Sequence, residues 1–79
     1  MTEITPNKTL DARGLQCPMP IVRTTQEIKT IEVGEVLEVV ATDPGSVADL
    51  QAWCSSTGNE LLKMDKADGI FQFFIRRVN

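Results

Sequence analysis

Cys17 stands directly before Pro18, Met19 and Pro20 in the stretch LQCPMP (residues 15–20), and an apolar helical pattern follows. The reactive form of a cysteine is the thiolate, and an adjacent helix N-terminus lowers the thiol pKa towards that form. Proline is favoured at the first helical position, where its missing N–H would be unpaired in any case. Pro18 is therefore expected to open a helix, with Cys17 as its N-cap in place of the usual Ser, Thr, Asp or Asn. A neutral thiol caps poorly, whereas a thiolate suits the positive end of the helix dipole.

The chain makes this kind of junction twice. The second is ATDPGS (residues 41–46), which predicts Asp43 as N-cap and Pro44 as first helical residue. Sulfur at the first junction takes the place of the carboxylate at the second. Arg13, four residues before Cys17, could add positive charge, and Arg23, further along the helix, is a weaker source of it. Pro18 and Pro20 carry no N–H, so only Met19 among the first three helical positions keeps a donor for an anion. A modest lowering of the Cys17 pKa is expected. That suits a thiol that must both attack and be attacked, because nucleophilicity falls with pKa. Met19 precedes a proline, which resists the helical region at that residue.

The elements that must position this thiol follow from periodicity. Residues 1–7 are polar and expected to be loose. TLDA (residues 9–12) alternates as a short strand, and RGLQ, with Gly14, reads as a turn. From Pro18 the spacing of Ile21, Thr25 and Ile28, with Val22 and Ile31 beside them, predicts a helix that Gly34 punctuates. EVLEVVAT (residues 35–42) is a strand with Leu37, Val39 and Ala41 on one face and Val36, Glu38, Val40 and Thr42 on a half-wet one. A second helix carries Val47, Leu50 and Cys54 on one stripe with Trp53 alongside, and Gly58 stops it. Leu62 and Met64 alternate in a third strand. Asp68–Gly69 signals a tight hairpin, and Phe71, Phe73 and Ile75 share one face of the last strand.

The order is β–α–β–α–β–β. It predicts an α/β (α+β) two-layer sandwich, with two helices on one face of a four-stranded mixed sheet. The first two strands are expected to be parallel and the final hairpin antiparallel. Ile70, Phe74, Val36 and Val40 fall on the other sheet face. They are either shielded by long side chains or a partner surface.

Composition narrows the chemistry. Seventy-nine residues make one small domain, spanning residues 1–79. The net charge of −3 argues against direct nucleic-acid binding, whose footprint is basic; Arg76–Arg77 is the only adjacent basic pair. No histidine is present, which removes Cys–His pairs, Ser–His–Asp triads and most zinc sites. No metal is expected. The glycines lack phosphate-loop spacing, and no stretch approaches the roughly 18 apolar residues of a membrane span. The opening MTEITPNKTL has no basic region followed by an apolar run, so a reducing, cytoplasmic setting with free thiols is expected.

The other polar and sulfur residues have plainer readings. Cys54, mid-helix on an apolar stripe, is read as packing. It could also resolve Cys17 in a thiol redox protein, although nothing in the sequence brings the two together. Trp53 is read as core or helix-edge packing. Asp43 and Asp49 could work as an acid–base pair, but capping accounts for the first and a solvated helix face for the second.

Taken with its register, LDARGLQCPMPI resembles the signature of the TusA/SirA-like sulfur-carrier family, whose hallmark is Cys-Pro-X-Pro at the start of the first helix. Asp11, Gly14, Leu15, Cys17, Pro18 and Pro20 coincide with it. GEVLEVVATDP, DLQAWCSSTGNELL and FFIRR resemble the family's second strand, second helix and closing strand, so the likeness runs from about residue 9 to 77. It implies the same two-layer sandwich and a persulfide on Cys17. Sulfane sulfur would come from a donor protein, of desulfurase or rhodanese type, and pass to an acceptor protein. Family settings include transfer-RNA thiolation, molybdenum-cofactor supply and sulfur oxidation, and some relatives are regulators or are linked to membrane transport of sulfur or selenium compounds. The resemblance implies no cofactor. Pro18, Pro20, Gly14 and Arg13 would support the helix start, although the family admits other residues at Arg13. Met19 and Arg23 are candidates for partner contact, and the carrier is expected to be a monomer. The competing readings are a non-catalytic regulatory interaction module and a redox protein using Cys17 and Cys54.

Overall fold

The computed structural model describes residues 4–79. Its elements are β1 (Lys8–Ala12), α1 (Met19–Glu27) continued by a tighter turn (Ile28–Thr30), β2 (Val36–Ala41), α2 (Ser46–Thr57), β3 (Glu60–Ala67) and β4 (Ile70–Arg76). The strands form one sheet in the order β1-β2-β4-β3. β1 runs parallel to β2, with Leu10 opposite Val39 and Ala12 opposite Ala41. β4 runs antiparallel to both β2 and β3, so the sheet is mixed, as expected. The expected looseness of residues 1–3 lies outside the described residues. Asn7 extends the β1–β2 pairing: its N–H donates to the Val36 carbonyl at 2.8 Å, and its side-chain oxygen accepts from the Val36 N–H at 2.9 Å.

The core lies between the helices and one sheet face. Leu10, Ala12, Leu37, Val39, Ala41, Phe71, Phe73 and Ile75 of the strands pack with Ile28, Ile31, Leu50, Trp53 and Cys54. Period-two alternation places each strand residue: in β2 Leu37, Val39 and Ala41 are buried, and Val36, Glu38 and Val40 are half-buried. Asp68 and Gly69 both take positive φ (53° and 75°), the two-residue turn that matches strand twist.

Three local expectations are corrected. The buried stripe of α1 is Pro20, Thr24 and Ile28, with Ile21 and Thr25 at its edge and Val22 exposed. The helix is therefore rotated by about one residue from the Ile21–Thr25–Ile28 face. Thr24 tolerates full burial because its hydroxyl donates to the Pro20 carbonyl at 2.7 Å. In β3 the residue packed on the core is Leu61; pairing slips between Leu61 and Lys63, and Leu62 and Met64 are exposed. The bulge breaks the simple alternation on which Leu62 and Met64 were paired. Finally, α1 opens at Met19 with Pro18 as its N-cap, and α2 opens at Ser46 with Gly45 as its N-cap. Cys17 and Asp43 thus sit one and two residues further out than expected.

On the open sheet face Phe74 is buried opposite Glu38 of β2 and Lys63 of β3. Glu38 accepts from Thr9 Oγ1 at 2.9 Å and from the Gln72 side chain. Long polar side chains thus shield this face in part, while Val36, Val40 and Ile70 stay half-buried.

Candidate functional site

Because β1 and β2 are parallel, their outgoing loops emerge at the same sheet end, and each leads into a helix. The Cys17 loop is hung on the loop beside it. Gly14 takes φ +80° at the third position of a turn closed by the Leu15 N–H on the Ala12 carbonyl (3.2 Å), a conformation that favours glycine. Its own N–H donates to Thr42 Oγ1 at 2.9 Å. Three residues on, the Cys17 N–H donates to Asp43 Oδ2 at 2.9 Å, while Asp43 Oδ1 accepts from the Gly45 N–H at 3.1 Å. One carboxylate caps the turn into α2 and holds the cysteine loop.

The start of α1 offers the sulfur no donor. Met19, whose N–H was the single candidate, donates it to the Gln16 carbonyl at 2.8 Å. The N–H groups of Ile21 and Val22 both reach the Pro18 carbonyl at 3.1 Å, and Pro18 and Pro20 have none. Cys17 is exposed, and its Sγ lies 3.2 Å from Asp49 Oδ2 on α2. The expected lowering of its pKa is therefore reversed. The thiol is pushed up, first by its hydrogen bond to Asp49, then by loss of water around it and by the negative charges of Asp49 and Asp43.

Arg13 does not supply the positive charge expected of it. Its guanidinium binds Asp11 through two bonds, Nε to Oδ1 at 2.8 Å and Nη2 to Oδ2 at 2.9 Å. That pairing holds the Asp11 carboxyl down at about 2. Arg23 is exposed on α1 and ion-paired with neither Asp43 nor Asp49. Met19 is 42% exposed beside the cysteine.

A groove opens at the thiol, lined by Cys17, Pro18, Ile21, Asp49, Ala52, Trp53 and Ser56. Asp49, Ala52, Trp53 and Ser56 follow the i, i+3, i+4, i+7 spacing of one helix face. Trp53 lines the groove while mostly buried, and its indole N–H donates to Thr25 Oγ1 of α1 at 3.0 Å. It thus joins core packing to the site wall. Asp49 is the residue that sequence reasoning left on a solvated face. The signal available was its spacing of four from Trp53. What it lacked was any indication that the Cys17 loop crosses in front of that face. Cys54 lies on the core side of α2, where burial pushes its thiol up to about 11. Both cysteines are free.

Among the described residues no three His, Cys, Asp or Glu side chains gather to hold a metal, and no helix is long and apolar enough to cross a membrane.

The family model for sulfurtransferase TusA matches residues 8–77. The chain belongs to the TusA family. It is 47% identical over 68 residues to the sulfur carrier protein TusA of Allochromatium vinosum, covering 86% of this chain and 90% of that one. It is 53% identical over 68 residues to the YrkF protein of Bacillus subtilis, but spans only 37% of that protein's length. The crystal structure of a SirA-like protein from Desulfitobacterium hafniense superposes with a TM-score of 0.78 at 26% identity, over 91% of this chain and 99% of the other. TusA-family membership and the SirA-like neighbour agree with the two-layer fold read from the sequence.

Proposed function

We propose that this chain is a sulfur-relay carrier whose working atom is Cys17 Sγ. The observation that carries the reading is an exposed thiol at the mouth of an apolar groove, in a chain of the TusA family. In the loading step Cys17 sulfur attacks the outer sulfur of a donor protein's persulfide. The donor's S–S bond breaks, a Cys17 S–S bond forms, and the donor cysteine leaves as a thiolate that takes up the proton Cys17 sheds. No net oxidation occurs. Delivery is the same exchange run outward, with an acceptor thiolate collecting the outer sulfur. The reaction needs no cofactor. Gly14, Pro18 and Pro20 shape the loop that presents the sulfur, and Met19 and Arg23 flank it for contact with donor (desulfurase or rhodanese type) and acceptor proteins. Arg13 supports the loop through its bond to Asp11 rather than through the thiol. The carrier works as a monomer in a reducing compartment such as the cytoplasm, where both cysteines stay thiols.

Incubation with a cysteine desulfurase and cysteine, or with a rhodanese and thiosulfate, is expected to add one sulfur mass to the intact chain. Cys17→Ser is expected to abolish the addition, and a Cys17→Ser chain that still gains sulfur would refute the assignment. The redox reading is disfavoured by the burial of Cys54. An intramolecular Cys17–Cys54 bridge found by peptide mapping after mild oxidation would revive it.

A further inference from the structure

The site contains a carboxylate that a thiol carrier does not obviously need. A cysteine meant to attack is usually surrounded by donors or cations, which favour the anion. Here the α1 side offers none, because the Met19, Ile21 and Val22 N–H groups are all spent on backbone carbonyls. The Cys17 N–H is spent on Asp43. Asp49 Oδ2, at 3.2 Å, is an acceptor and nothing else when ionised, so the sulfur must be the donor.

We propose that Asp49 is a positioning residue that holds resting Cys17 as a hydrogen-bonded thiol and aims it into the groove bounded by Ala52, Trp53 and Ser56. This rests on the carrier reading for its purpose, though not for its test. Two carboxylates, one from the turn into α2 and one from its first turn, grip the cysteine separately: Asp43 takes the backbone N–H and Asp49 the S–H. The first fixes where the Cys17 backbone lies and the second fixes where the sulfur points. Asp49 shares one helix face with Trp53, so a sulfur held against it lies beside the groove that Trp53 also lines.

The charged groups around the thiol agree. From α2 and its entry turn come Asp49 and Asp43. From the β1–α1 loop comes Arg13, neutralised by Asp11, and from α1 comes Arg23, paired with neither carboxylate. The arrangement keeps the thiol quiet towards small electrophiles and oxidants between deliveries. In the loading exchange the S–H proton is released past Asp49 as the Cys17–sulfur bond forms, and the departing donor thiolate receives it.

The test is the pH profile of iodoacetamide alkylation, followed at Cys17 by peptide mapping. Asp49→Asn keeps the shape and removes the charge. It is expected to raise the alkylation rate at pH 7 about three- to tenfold and to move the profile to lower pH, tenfold corresponding to one pH unit. Asp49→Glu is expected to return it towards the wild-type profile. A role confined to folding would not move the midpoint in a variant with native circular dichroism. Should Asp49→Asn fail to fold, the wild-type midpoint is compared with that of the same chain unfolded in urea. A higher folded midpoint supports the proposal and an equal or lower one overturns it. An Asp49→Asn profile that superposes on wild type also overturns it. Sulfur uptake by intact mass is read separately: a chain that alkylates as described but never gains sulfur refutes the carrier reading and leaves the role of Asp49 intact.

Discussion

Cys17 and Cys54 show how one residue type is placed in opposite surroundings, one exposed beside a groove and the other buried in the core. Both thiols are pushed above their ordinary range, but for different reasons. Asp49 is the leading cause at Cys17 and burial is the cause at Cys54. For Cys54 the consequence is a stability effect. Its pKa is about 11 in the folded chain against 9.0 as the ordinary value. The folded state therefore keeps a proton that the unfolded state loses. The contribution is fully present below about pH 9 and is lost as pH rises through about 11. Urea unfolding between pH 8 and 11 is expected to show a loss of roughly 1–2 kcal/mol that Cys54→Ala removes. An identical decline in that variant would show that other groups cause it. The position of Cys54 was legible in its spacing from Val47 and Leu50, because apolar periodicity reports burial directly. The environment of Cys17 was not, because it depends on a residue 32 positions away.

At the scale of elements, the junctions matter more than the helices they open. Asp43 was read as a helix cap, and it does serve the turn into α2 through the Gly45 N–H. Its second oxygen also fastens the loop before α1. Asp43→Ala is expected to cost about 1 kcal/mol, the usual size of a lost cap, and to speed amide exchange at Cys17 as well as at Gly45. Faster exchange at Gly45 alone would mean that the tie to the cysteine loop is unimportant. The two junctions look alike in sequence, each a polar or sulfur residue before proline. They differ in structure because Pro18 and Pro20 together strip α1 of donors, and Met19 folds its N–H back on Gln16. Counting N–H groups from the sequence reached Met19 as the last candidate donor. Only the turn geometry removed it.

For the whole molecule, one core must hold a chain of 79 residues, and stability of about 5–15 kcal/mol is typical of such domains. Phe73 of the central strand β4 is fully buried in the core cluster. Phe73→Ala is expected to cost about 3–5 kcal/mol, a large share of that stability, as read by urea titration. A loss under 1 kcal/mol would mean that the core is not the single cluster described. The same core sets the site, since Trp53 packs in it on one side and walls the groove on the other. Destabilising the core is thus expected to loosen the groove.

The alternation of β1, β2 and β4, the helix order, the mixed sheet and the hairpin at Asp68–Gly69 were determined by the sequence itself, whereas the bulge in β3 was not. Each depends on residues near one another in the chain, where periodicity and turn chemistry act. The motif around Cys17 likewise pointed to the family without any coordinates. Tertiary structure alone decided the charge state favoured at the sulfur. It laid the first loop across the start of α2, turned two carboxylates onto one cysteine and bound Arg13 to Asp11 instead. Electrostatic environment is a sum over neighbours in space, and those neighbours come from chain segments that no local pattern connects.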